Sequence, residues 1–164
     1  MRITLLICLL MSQVAFANHF TLDEYAGVKL GSHGDKALEL LKNYYPEKSS
    51  YDEAQSCFYL IPPADFDGAY IMVLDGTVER FEVDEQSSKI TTQEGIGIGS
   101  SKADVVGAYK DVKVSVHPYL GEAGEYLEVT LDNGNGLIFE TYQDKVSSFR
   151  LGRYPAVLFI EGCA

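Results

Sequence analysis

Hydrophobic residues along this chain follow two different periods, and the change from one to the other occurs twice. Ala37, Leu38, Leu40 and Leu41 recur at helical spacing, as do Val105, Val106, Ala108 and Tyr109, so each stripe predicts a short amphipathic helix. After each stripe come short apolar runs of strand character. In the first half these are Cys57–Ile61, Tyr70–Leu74 and Thr77–Val83; in the second they are residues 113–116, 126–131, Gly136–Tyr142 and 145–151. Turn chemistry separates them. Asp75-Gly76, Gln143-Asp144 and the stretch from Asp132 to Gly136 predict hairpins, because Asn, Asp and Gly readily take the positive φ angles of tight turns. Pro62-Pro63 interrupts the first half, and residues 156–160 predict one more strand at a sheet edge.

The two halves also match each other. One constant offset lays Gly27 on Gly95, Leu30 on Ile98, Gly31 on Gly99 and Ser32 on Ser100. Without a gap it also lays Leu38 on Val106, Leu41 on Tyr109, Val78 on Val146, Phe81 on Phe149 and Val83 on Leu151. A single offset held this long predicts two copies of one unit. The expected fold is α+β: two tandem copies of a short helix followed by an antiparallel β-meander, packed as one compact two-layer unit. The expected boundaries are residues 18–90 for the first unit and 91–164 for the second, with the C-terminal strand added to the latter.

Residues 95–101, Gly-Ile-Gly-Ile-Gly-Ser-Ser, have the look of a phosphate-binding loop, but their spacing meets neither the P-loop nor the dinucleotide pattern. In the first copy Lys29 stands where the middle glycine would be. The copies share a turn, one apolar residue and a serine, which is the composition of a helix start. Ser32 with Asp35 and Ser101 with Asp104 predict a capping box at each helix.

Residues 1–17 combine Arg2, an apolar run and the small-x-small pattern Ala15-Phe16-Ala17, which predicts a signal peptide and hence a periplasmic or secreted protein. No later segment approaches the roughly 20 apolar residues of a membrane-spanning helix, so no membrane insertion is expected. Cys8 lies within the expected signal; the remaining cysteines, Cys57 and Cys163, are expected to pair in an oxidising compartment. The chain carries a formal net charge of −11, which disfavours nucleic acid and anionic lipid surfaces and favours a cationic partner.

The phrase Gly-apolar-x-apolar-Gly-Ser occurs twice, each time opening a helix. With Cys57-Phe58-Tyr59-Leu60 between the copies, and a run from Phe149 through Arg153-Tyr154-Pro155 to Glu161-Gly162-Cys163, the chain resembles a family of uncharacterised exported bacterial proteins. The unit is also similar to the helix-plus-meander repeat of the beta-lactamase inhibitor protein family and of small outer-membrane-assembly lipoproteins. That resemblance implies a fold and carries over no site residues.

Chemistry is sparse. The three histidines, His19, His33 and His117, have no metal-type spacing, no nucleophile elbow occurs, and no cofactor is implied. Glu122, Glu125, Glu128 and Asp132 are read as a solvated face rather than as an acid–base pair. Eleven tyrosines and no tryptophan suit an interface, and Tyr44, Tyr45 and Tyr51, rimmed by Asp52 and Glu53, are the candidate partner-binding patch, expected on a loop around Pro46. His117 and Tyr119 are the candidate pocket residues. The expected function is non-enzymatic binding, as an inhibitor or immunity-type protein for a cationic envelope protein. The alternative is a small-ligand-binding or envelope-maintenance protein with a pocket between the repeats.

Overall fold

The computed structural model describes residues 19–48, 56–87 and 89–163. The expected signal peptide, and with it Cys8, lies outside them, as do Tyr51, Asp52 and Glu53 of the expected patch. In chain order the strands are β1 (His19–Phe20), β2 (Glu24–Tyr25), β3 (Val28–Lys29), β4 (Tyr45–Lys48), β5 (Cys57–Ile61), β6 (Tyr70–Leu74), β7 (Thr77–Val83) and β8 (Thr91–Thr92). They continue with β9 (Lys113–His117), β10 (Gly121–Thr130), β11 (Gly136–Tyr142) and β12 (Lys145–Gly152). Helix α1 spans Gly34–Leu40 and α2 spans Lys102–Ala108. Eight strands form one antiparallel sheet in the order β4-β5-β6-β7-β12-β11-β10-β9.

Turn residues set this order. Asp75 and Gly76 both have positive φ, as do Gln143 and Asp144, so each pair makes the tight hairpin that joins β6 to β7 and β11 to β12. The hydrogen bonds beside these hairpins recur at the offset that relates the halves of the sequence. Gly31 N–H donates to the Val78 carbonyl at 2.7 Å and Gly99 N–H to the Val146 carbonyl at 2.8 Å; Val78 N–H donates to Ser32 and Val146 N–H to Ser100, each at 2.8 Å. The ladders also slip register at Met72/Val73 and at Glu140/Thr141, the same interval apart.

The halves of the sheet meet where β7 pairs with β12, with Phe81 opposite Leu151 and Val83 opposite Phe149. Phe20 covers this seam, its ring 5.7 Å from Phe81 and 5.4 Å from Phe149. Both helices contribute to the same core through Ala37 and Val105, so the helices and short strands form one layer and the sheet the other. Burying each large apolar side chain here is worth about 1.5–3 kcal/mol.

Three expectations are corrected. Residues 156–160 do not form an edge strand: Ala156–Leu158 is a 3-10 turn, and the tail crosses the back of the sheet, where Arg80 and Arg150 side chains take its carbonyls. Ser32 does not cap α1, whose N-cap is His33 without a side-chain bond; the Ser32 hydroxyl donates to the Lys29 carbonyl instead. Tyr45 and Pro46 lie on strand β4, not on a loop.

Candidate functional site

A cavity of about 600 Å³ opens beside the C-terminal end of α1. Its floor is Tyr25 and Ala26 from β2 and the turn after it, Leu40 to Tyr44 form one wall, and Phe66, Asp67 and Lys89 form the other. All of these residues precede residue 90, so the cavity lies within the first half and not between the halves. Its size is that of small-molecule sites, which are mostly apolar with a few convergent polar groups.

Chain geometry places those polar groups deep. Tyr44 lies four residues past the end of α1 and is only 8% exposed, its ring packed edge-on to Phe66 at 6.3 Å. Residue 68 must lack a side chain for this to happen: a Cβ at Gly68 would collide with the Tyr44 hydroxyl and would come within 2.8 Å of the Phe66 ring. The Tyr25 hydroxyl accepts from the Ala69 N–H at 3.3 Å. Asp67 faces Lys89 through Oδ2, with Nζ at 3.6 Å. Two buried atoms of the cavity remain unsatisfied by any hydrogen bond of good geometry among the described residues, the Tyr44 hydroxyl and Asp67 Oδ1. Burial, and after it the neighbouring Tyr25 phenol, push the Tyr44 hydroxyl far above its ordinary value of 10.0, so it keeps its proton. Leu40, Lys42, Asn43, Phe66 and Lys89 form an exposed rim that is part apolar and part cationic.

The expected pocket residues are elsewhere. His117 is the last residue of β9 and is buried against the back of the sheet, with its ring edge-on to Tyr126 at 4.8 Å. Its Nδ1 accepts from the N–H groups of Tyr119 (3.1 Å) and Leu120 (3.2 Å), which leaves the proton on Nε2 to donate to Glu140 at 3.1 Å. Glu140 also binds Arg150, whose guanidinium lies 5.1 Å over the Tyr126 ring and whose Nε holds the Val157 carbonyl at 2.7 Å. Tyr119 is exposed and bonds to Glu161. Neither His117 nor Tyr119 lines the cavity.

Arg80, 1% exposed, repeats the arrangement nearby. It binds Glu82 and Tyr59 and donates to the carbonyls of Ala156 (2.8 Å) and Phe159 (2.7 Å). Two buried arginines thus fasten the tail, and the Cys57–Cys163 disulfide, with Cα atoms 5.4 Å apart, closes its end. The carboxylates of β10 are dispersed: Glu125 pairs with Lys102 at 2.5 Å, and Glu128 accepts from Tyr154 at 2.9 Å. Among the described residues no group of three or more His, Cys, Asp or Glu side chains is arranged to hold a metal ion. No helix among them is long and apolar enough to cross a membrane.

Of the expected patch, the structure brings Tyr44 into the cavity and leaves Tyr45, 51% exposed, on the sheet edge. Sequence reasoning missed Tyr25, Phe66, Asp67 and Lys89, which become neighbours only through folding. One signal was present. The offset between the halves lays Tyr44 on Val112 and Asp67 on Asn135, so the cavity lies where the halves differ.

Two solved structures are similar to this one at low identity. The uncharacterized protein YfeY from Escherichia coli aligns with a TM-score of 0.53 and 13% identity over 81% of this chain and 98% of its own. An extracellular protein containing an SCP domain from Bacillus anthracis str. Ames aligns with a TM-score of 0.48 and 12% identity over 79% of this chain. The chain spans 45% of the length of that Bacillus protein. No family model matches the chain, and no curated protein does. What is shared is the fold of YfeY.

Proposed function

We propose that this chain is an exported, non-enzymatic binding module whose ligand enters the cavity of the first half. The observation that carries this reading is a pair of buried polar atoms without a hydrogen bond of good geometry, Tyr44 Oη beside the Tyr25 phenol and Asp67 Oδ1, in an otherwise largely apolar cavity of about 600 Å³. A buried polar atom without a partner costs about 1–3 kcal/mol, and a ligand that supplies the partner recovers that cost. Export is supported by the disulfide, which belongs to an oxidising compartment.

The two-unit reading, with boundaries at 18–90 and 91–164, belongs to the same proposal. It is supported by the hairpins, register slips and hydrogen bonds that recur at one constant offset. In this reading one copy kept a plain core while the other opened a site. The likeness to inhibitor-type repeats rests on that recurrence alone.

Amide NMR spectra recorded while a mixture of small amphipathic molecules is added test the cavity. Shifts should gather at Ala26, Leu41, Asn43, Phe66 and Asp67; shifts confined to other surfaces, or none, reject the site. A cationic protein partner is the second reading, favoured by Tyr45 and Glu47, exposed on the edge strand β4, and by the net charge of −11. Its signature is capture of a basic envelope protein that is lost at high salt and lost again in Tyr45→Ala.

A further inference from the structure

We propose that β9, the strand at one end of the eight-stranded sheet, pairs with β9 of a second copy of this chain, so that two sheets join about a two-fold axis through Ser115. This edge belongs to the second half and lies apart from the cavity, so the proposal does not depend on what the cavity binds.

The two ends of the sheet are built differently. β4 carries Pro46, which has no N–H to offer, followed by the charged Glu47 and Lys48, and proline and charge are what make a sheet edge resist another strand. β9 has no proline, and its only lysine, Lys113, stands at its first position. Among the described residues only β10 pairs with it, which leaves a row of backbone N–H and C=O groups open along its outer side. Such a row is a template for strand addition.

Side chains select the occupant. Val114 stands opposite Leu127 of β10, a core residue, and Val116 opposite Glu125, which pairs with Lys102 of α2, so both valines lie on the face that carries the helices. They are nevertheless 45% and 65% exposed, because β9 is the last strand. Lys113, Ser115 and His117 alternate onto the other face.

This pattern matches itself when reversed. In an antiparallel pair centred on Ser115, Val114 of each copy faces Val116 of the other, and four valines gather in one cluster on the helix side. Lys113 faces His117 of the second copy, so no lysine is set against a lysine. The axis stands perpendicular to the sheet and keeps both helix layers on one side. Each copy spends its open edge on the other, and the two outer edges that remain are both β4, so association closes at two. A second copy also brings its strand already ordered, whereas an unfolded segment of another protein must first be ordered.

Charge opposes the pair. Each chain carries a formal net charge of −11, a repulsion that salt screens within about 8 Å at physiological ionic strength. One five-residue strand and its valines make a contact at the small end of protein interfaces, below about 1,200 Å², which is the size of transient ones. The dimer is therefore weak and grows with salt, the reverse of capture of a cationic partner.

Sedimentation velocity of the folded protein, at chain concentrations from about 10 μM to 1 mM and at low and moderate salt, covers the range of transient association. The average coefficient should rise with concentration toward that of a dimer, stop there, and rise earlier when salt is added. Val116→Lys should weaken the dimer about tenfold or more, since it sets an unpaired ammonium in the valine cluster, even though it lowers the overall repulsion. Tyr45→Lys makes the same change of charge on β4 and should leave the dimer in place; both variants are checked for folding by circular dichroism. Register is read by cross-linking. Ser115→Cys should link to itself on oxidation, because Cβ atoms directly opposite lie about 4.5–5.5 Å apart, whereas Val114→Cys meets its own copy only on the diagonal, at about 7–8 Å, and should not. A protein that stays monomeric throughout, association that continues past two, a dimer that dissolves as salt is added, one that survives Val116→Lys or is lost equally in Tyr45→Lys, or cross-linking of Val114→Cys in place of Ser115→Cys each overturns the proposal.

Discussion

Glu140 sits between the Arg150 guanidinium and the His117 ring on the back of the sheet, and its protonation state decides whether three side chains stay paired. Burial alone raises its pKa, but the Arg150 guanidinium and the His117 ring on the other side together outweigh that and hold the carboxyl below its ordinary 4.5, with Tyr126 as the remaining neighbour. A pKa depressed by folding adds stability that is present above the ordinary value and is lost as pH falls through the folded one. Glu140→Gln should therefore destabilise the protein by about 1–3 kcal/mol at pH 7, because buried donors lose their charged acceptor. The gap to wild type should narrow below pH 4.5, where wild type loses the same contribution. Urea unfolding across a pH series measures this, and curves that stay parallel down to acid pH contradict it. Sequence analysis singled out His117 but neither Glu140 nor Arg150 as its neighbours, because strand neighbours become visible only once the pairing of β9, β10, β11 and β12 is known.

At the level of elements, the two helices begin at corresponding residues and differ in how they begin. The N-cap of α2 is Ser101, whose hydroxyl accepts from the Asp104 N–H at 3.1 Å while the Asp104 carboxylate accepts from the Ser101 N–H at 2.7 Å. The corresponding position in the first half is His33, which supplies no such bond; Ser32 is one residue too early. Ser101→Ala should cost about 1 kcal/mol, the usual loss of a capping side chain, whereas Ser32→Ala should cost clearly less. Equal losses in thermal unfolding would refute the assignment. Helix stripes and hairpin turns were legible because their signals are local: Asp75-Gly76 and Gln143-Asp144 dictate tight turns whatever surrounds them. Strand β4 was not legible, because Pro46 reads as a breaker; on a sheet edge its missing N–H is tolerated, and Pro46 pairs with Leu60. The apolar run at 156–160 misled in the opposite direction. It has strand composition, but its carbonyls are taken by arginine side chains rather than by a ladder.

For the molecule as a whole, one covalent bond and two buried arginines act on the same segment in different ways. The disulfide joins Cys57 of β5 to Cys163 across 106 residues, a loop that includes seven of the eight strands of the large sheet. In the chain-entropy account a loop of that length removes about 4–5 kcal/mol of freedom from the unfolded chain, without adding contacts to the folded one. The contacts belong to Arg80 and Arg150, which hold Ala156, Val157 and Phe159 by their backbone carbonyls whether or not the sulfurs are joined. The two contributions are therefore separable. Cys163→Ser should lower the midpoint of chemical unfolding by an amount equivalent to a few kcal/mol, while amide exchange along the tail in native conditions stays close to wild type. Arg80→Leu with the disulfide intact should do the reverse at the tail and loosen it locally, because Ala156 and Phe159 lose their partner while the unfolded chain remains constrained. If Cys163→Ser leaves the unfolding midpoint unchanged, the bridge does not restrain the unfolded chain; if it frees the tail, the arginines alone do not hold it.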